Sequence, residues 1–409
     1  MEAMDIQAVE SKLSDVTVTA IPMSGKNVHK DMSHGANSHA TISTVPATSP
    51  SPVGKDKDNS MSKYASMAVM WKNKLRWDTG YSADSVEWCP VEPYRDLLVC
   101  GTYQLDKNDE NTTKQTRLGR IYLFVINENT TELNPIQTIN TSGVLDQKWC
   151  YHRLESYPTL AVVTSEGSLQ LYRLVDEDGT LSLKFWLEHS IGRDNLALSL
   201  DWSTNKTHSE TPCLVVSDST GSISLLRVEA GGLETVGLWK SHGFEAWIAA
   251  FNYWDTNVFY SGGDDCIFKC YDIRIPDIAT AVNKRHEAGV TAIRSHVEVE
   301  HQLLTGSYDE KVRLWDTRKL KSNVTQIDVL GGVWRLKWHP RQRNMVLAAC
   351  MYGGFRVLRV GDEMEILGEY QGHGSIAYGA DWKLAAEGSV VATCSFYDCQ
   401  MHISEINMQ

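Results

Sequence analysis

The sequence predicts an all-β chain closed into a seven-bladed β-propeller, and three observations predict it. A short pattern recurs seven times: an apolar residue, a second one three positions on, and after one more residue a bulky aromatic, replaced by Ser295 in the fifth copy. Each copy is followed by a second strand ending near a small residue, a Gly- or Asp-bearing turn and a third apolar run. Finally, 13 Trp and 16 Tyr against 8 Phe suit a β-protein with repeated aromatic positions.

Taken in order, residues 1–62 are rich in Ser, Thr, Lys and Asp, carry Ser-Pro-Ser-Pro at 49–52 and show no sustained hydrophobic period. They read as a disordered tail, and residues 70–409 as the propeller. Lys74–Asp78 is a lone strand whose partner must come from elsewhere. Gln400–Glu405, the last apolar run, is the expected partner, so the leading strand completes the last blade and leaves no long unpaired edge. The seven copies are 83–88, 144–149, 197–202, 246–251, 290–295, 333–338 and 377–382. They are the expected innermost strands.

Segments 241–274 and 286–318 share an opening His, an Asp-bearing turn and a closing aromatic-Asp-X-Arg, at the period of about 40–45 residues typical of WD repeats. The predicted fold is thus a seven-bladed WD-repeat β-propeller. His286, Thr305 or Ser307, Asp309 and Trp315 have the spacing of a hydrogen-bonded tie within one blade. His242, Ser261, Asp265 and Tyr271 form the same set one blade earlier. These histidines and aspartates are therefore set aside as catalytic candidates. Two places depart from the pattern: Ser404 stands where a closing Trp is expected, and Gly353 occupies the Asp slot of the sixth blade. Both imply less well tied blades.

Composition narrows function. Lys and Arg total 39 against 51 Asp and Glu, a net charge of −12, and there is no basic block, so direct nucleic-acid binding is not expected. The nine Cys are scattered without paired metal-ligand spacing, which fits buried thiols in a reducing compartment and no metal site. No apolar stretch has the length of a signal peptide or a membrane span, so the expected setting is cytoplasmic, with no membrane partner and a monomeric chain. Nucleophile-elbow, phosphate-loop, dinucleotide and zinc-protease motifs are all missing. On residues alone the base reading is a non-catalytic adaptor.

Two constellations stand against it. The residues preceding the terminal bulky positions run Glu87, Lys148, Asp201, Ala250, Arg294, Lys337 and Asp381, a mixed-charge ring near the axis. It is either mutual solvation or a polar pocket with shifted pKa values. Nearer the strand entrances lie Trp247, Trp334 and Tyr378, with Glu245 and His373 just upstream. Aromatics at one mouth can cage a quaternary ammonium at about 0.5–2 kcal/mol each; the alternative is packing between blades.

EAWIAAFNYW (245–254), YSGGDD (260–265), TGSYDEKVRLWDTR (305–318), GGVWRLKWHP (331–340), MYGGFRV (351–357), SIAYGADW (375–382) and CSFYD (394–398) together resemble the WD-repeat diphthine methylesterase family of diphthamide biosynthesis, as does YSADSVEWCP (81–90). The resemblance spans about residues 75–403. It implies hydrolysis of the methyl ester of methylated diphthine on translation elongation factor 2, with release of methanol and no cofactor. The substrate would carry a trimethylammonium group, which suits the aromatic mouth. Ester chemistry needs a base and donors for the oxyanion. His373 is the first candidate base, although it equally fits the seventh blade's tie, and Asp264 is the second. Arg335, or the amides of Gly331–Gly332, are the candidate oxyanion donors. The rivals are a WD-repeat scaffold and, within it, a ubiquitin-ligase substrate receptor, with which Trp-Asp-Thr-Arg at 315–318 is compatible.

Overall fold

A computed structural model of the chain describes residues 69–106, 116–192, 194–275, 277–384 and 389–408; the predicted tail at 1–62 lies outside them. Among the described residues every regular element is a β-strand, and the strands form seven four-stranded antiparallel sheets. Among these residues no helix is long and apolar enough to cross a membrane. The inner strands are Ser82–Trp88, Val144–Trp149, Ala197–Trp202, Ile248–Phe251, Val290–Ser295, Arg335–Trp338 and Ala377–Trp382, in blades 1 to 7. In blades 4 and 6 pairing begins two residues later than the pattern suggests, which leaves Trp247 and Trp334 just ahead of the ladder.

The ring closes as expected. Val69–Asp78 pairs antiparallel with Gln400–Met408, from Val69↔Met408 to Asp78↔Gln400, and the seventh sheet is thereby completed by the chain's leading strand. This strand starts at Val69 rather than Lys74 because its alternation is sustained: Trp71, Leu75 and Trp77 turn inward while Lys72, Lys74 and Arg76 face solvent. Its inward side chains join two core clusters, Val69 and Trp71 on the blade 6 side and Leu75 and Trp77 on the blade 1 side.

The ties form in the predicted blades. In blade 4, His242 contacts Asp265 Oδ1 through Nδ1 (2.9 Å) and Ser261 Oγ through Nε2 (2.8 Å), and Ser241 links Ser261 to the Tyr271 hydroxyl. In blade 5, Trp315 donates its indole N–H to Thr305 Oγ1 (2.8 Å), which lies 3.1 Å from His286 Nε2. Blade 7 solves its missing Trp differently. Ser404 pairs with Val391 as Trp315 pairs with Leu303, and His402, two residues earlier, stacks on His373 at 3.8 Å with its Nδ1 2.8 Å from the Tyr370 hydroxyl. Gly353 sits where a side chain has no room: a Cβ there would stand 2.6 Å from the Leu330 carbonyl oxygen.

The buried histidines make stability pH-dependent. Burial pushes His373 down to about 2, helped by the neighbouring His402 and Arg76, and pushes His402 and His339 down to about 4. The unfolded chain binds these protons near pH 6.5 while the folded chain refuses them. The stabilisation is therefore complete above about pH 6.5 and is lost as pH falls from there toward the depressed folded values. Melting temperature is expected to drop between pH 7 and pH 4, with a shallower drop in His373→Ala; a flat profile in the native chain would contradict this.

Candidate functional site at the propeller axis

In five blades the inner strand carries a register shift that leaves one residue out of the ladder: Asp84, Leu145, Leu198, Thr291 and Tyr378. Such bulges re-aim a side chain. Trp247 and Trp334 hold the same pattern position in blades 4 and 6, so one residue from each blade rings the mouth of the axis. Trp334 stacks on Tyr378 at 4.5 Å, Trp247 meets Trp334 edge-on at 5.8 Å, and Tyr308 touches both tryptophans at 6.1–6.2 Å. Phe396 extends the wall at 5.0 Å from Tyr378. Asp264 accepts the Trp247 indole N–H at 3.2 Å and donates its own backbone N–H to the Glu245 carbonyl.

Beneath the mouth lies a buried ionic layer that spans the axis. Arg335 Nη2 is 3.0 Å from Asp146 Oδ1 and 3.8 Å from Asp84 Oδ1. Lys148 Nζ contacts Asp146 Oδ2 at 2.5 Å, and the Leu200 amide donates to the same oxygen. Burial pushes the Asp146 carboxyl up, but Arg335, Lys148 and the Leu200 amide more than offset this and hold it below the usual range. Asp84 has no such support. Burial raises it well above an ordinary carboxylate, Arg335 opposes this only in part, and Asp146 adds to it.

The mixed-charge ring sits one layer further in. Lys337 bonds Glu87 and lies 3.4 Å from Asp381, while Arg294 reaches the Tyr151 hydroxyl at 2.7 Å and Asp201 at 3.5 Å. Burial lifts Glu87 to about 7 against the pull of Lys337. Below this ring the axis opens into a cavity of about 440 Å³ at the far ends of the inner strands. Trp88, Trp149, Trp338 and Trp382 wall it, and His152, His296 and His339 lie around them.

The structure thus gathers Trp247, Trp334, Tyr378, Asp264 and Glu245 at one mouth, with Arg335 directly below. His373 is elsewhere. Its Nε2 meets Thr393 Oγ1 at 2.9 Å and its Nδ1 meets Ser395 Oγ at 2.7 Å, so both ring nitrogens are engaged inside blade 7. Gly332 borders the mouth, its Cα facing Tyr308 and Met351. Sequence reasoning missed Tyr308, Asp84 and Asp146. The signal for the two acids was present: they fill positions two and three of the same repeated pattern that supplied the aromatics.

Fold and site define a WD-repeat β-propeller with an aromatic mouth over a buried ion-paired axis. A family model described as WD domain, G-beta repeat matches residues 280–316, from the outer strand of blade 4 through the third strand of blade 5. A second, described as Cyclin-dependent kinase 2-associated protein, matches residues 1–84, of which 69–84 are described. A chain from the crystal structure of the mitotic checkpoint complex superposes with a TM-score of 0.62 over 89% of this chain and 99% of its own, at 14% identity, and shows the shared fold alone. The diphthine methyltransferase of Mus musculus is 43% identical over 324 residues, 75% of this chain and 68% of its own length. That of Homo sapiens is 42% identical over 330 residues, 75% and 73% respectively. The chain belongs to the diphthine methyltransferase family.

Proposed function

We propose that this chain acts in diphthamide biosynthesis by hydrolysing the methyl ester of methylated diphthine on translation elongation factor 2. The relatives' name ties the family to diphthine and to movement of a methyl group. The observation that carries the hydrolytic reading is the aromatic mouth set directly over Arg335. A trimethylammonium group is drawn to the faces of Trp247, Trp334 and Tyr378, with Asp264 and Glu245 adding negative charge. The ester carbonyl then falls to the guanidinium below.

Chemically, Asp264 takes a proton from water as the water oxygen bonds the ester carbon, and Arg335 stabilises the oxyanion. Collapse breaks the carbon–methoxy bond; methoxide leaves with the proton as methanol, and a carboxylate remains. His373 was the first candidate base. With both nitrogens held by hydroxyls, its substitution by Ala is expected to lower stability, by about 1–3 kcal/mol for the stranded buried partners, more than turnover of the folded variant. Turnover abolished in a fully folded His373→Ala chain would return His373 to the chemistry.

The test is methanol release from isolated methylated elongation factor 2 by the purified full chain. Stable binding without methanol favours the adaptor reading. Methyl incorporation from an added methyl donor favours methyl addition, which the relatives' name also allows. Trp334→Ala and Trp247→Ala are each expected to raise KM about 2- to 30-fold, the range a lost cation–π contact spans.

A second reading places the reaction in the 440 Å³ cavity, because Glu87 at about 7 has the ionisation suited to a base at neutral pH. Glu87→Gln separates the two: it abolishes turnover if the cavity is the reacting end, while the mouth variants leave KM unaltered.

A further inference from the structure

We propose that Asp84 is a positioning residue that acts through Arg335, held as a neutral carboxyl so that the guanidinium stays available to the substrate's ester oxygen. This rests on the ester-hydrolysis reading of the mouth. Asp84 occupies the bulge of blade 1, in the same ring as Tyr378 and Trp334, and is only 2% exposed. Its Oδ1 points at Arg335 Nη2 from 3.8 Å and makes no hydrogen bond, whereas Asp146 takes the same nitrogen at 3.0 Å. An ionised carboxylate this deep would close on the guanidinium, because an unpaired buried charge is far costlier than a neutral acid.

The charge inventory agrees. The axis buries four cations, Lys148, Arg294, Arg335 and Lys337, against five acids, Asp84, Glu87, Asp146, Asp201 and Asp381. One surplus carboxyl is left over, and Asp84 is the one whose oxygen lacks a donor. The titratable groups facing it are Arg335 from blade 6, Asp146 from blade 2, Tyr378 and Cys394 from blade 7, and Cys100 from its own sheet. Burial raises Tyr378, Cys394 and Cys100, and Asp146 is held ionised. With Asp146 already ionised, Asp84 is therefore the carboxyl among these groups left to change charge as pH rises. Once ionised it pairs with Arg335 and withdraws that positive charge from the substrate.

The sign follows: the competent form is the protonated one, so kcat/KM is expected to fall on the alkaline side, tenfold per pH unit once Asp84 ionises. Asp84→Asn keeps the shape and cannot ionise, so its kcat/KM profile is expected to lose that alkaline limb. A purely structural Asp84 would change melting temperature and leave the limb in place. An identical limb in both proteins overturns the proposal. Carboxyl carbon-13 NMR of the full chain gives a readout free of activity: one aspartate signal, missing in Asp84→Asn, is expected to remain protonated where the ordinary surface aspartates have already ionised. If every aspartate titrates in the ordinary carboxylate range, the proposal fails although the esterase reading stands. If the native chain releases no methanol, the esterase reading fails instead, whatever the NMR shows.

Discussion

A chain that begins at Thr79 is expected to lose cooperative folding, while one that begins at Met61 keeps it. The difference includes the Val69–Asp78 strand, which supplies the outer ladder of blade 7. Its loss removes Val69, Trp71, Leu75 and Trp77 from two core clusters. Val69 is buried and the other three are partly buried; since fully burying such a side chain stabilises by about 1.5–3 kcal/mol, the loss comes to several kcal/mol, a large part of the ~5–15 kcal/mol that keeps a domain folded. It also leaves Gln400–Met408 as a bare edge, a template for association. Thermal unfolding followed by circular dichroism, with size-exclusion chromatography, is the check. A monomer that melts as sharply as the longer chain would show that the ring does not need its leading strand.

Arg335→Met is expected to cost about 10²–10³ in kcat, the usual loss when an oxyanion donor is removed. The fold should survive, because Asp146 keeps Lys148 at 2.5 Å and the Leu200 amide. Arg335→Lys retains the charge and loses the planar guanidinium that holds Asp146 at 3.0 Å with further N–H groups for the oxyanion, so it falls between the two. Methanol release measured at saturating substrate reads the effect. Native turnover in a folded Arg335→Met chain would remove Arg335 from the reaction.

Much of this was legible in the sequence because each inner strand is buried on both faces and must repeat its apolar and aromatic positions. The ties were legible for the same reason, since His242, Asp265 and Tyr271 recur at fixed offsets. The outer strands, such as Gln137–Ser142 and Thr325–Asp328, were not located: one face meets solvent, so they carry polar residues without a distinct period. The aromatic mouth was found by aligning the repeats, but Asp84 was passed over because its meaning depends on Arg335, which blade 6 brings across the axis. His373 stayed ambiguous, as no sequence feature says whether Thr393 and Ser395 engage its nitrogens. Ser404 looked like a weakness in blade 7; the neighbouring His402, stacked on His373, covers the gap.

The most direct measurement is hydrolysis of methylated diphthine on elongation factor 2 in water enriched with oxygen-18, followed by mass spectrometry of both products. Attack at the carbonyl, with Arg335 on the oxyanion, places the heavy oxygen in the new carboxylate and leaves the methanol unlabelled. Label in the methanol would show attack on the methyl carbon, and neither product would show no hydrolysis; each contradicts the mechanism assigned to the mouth.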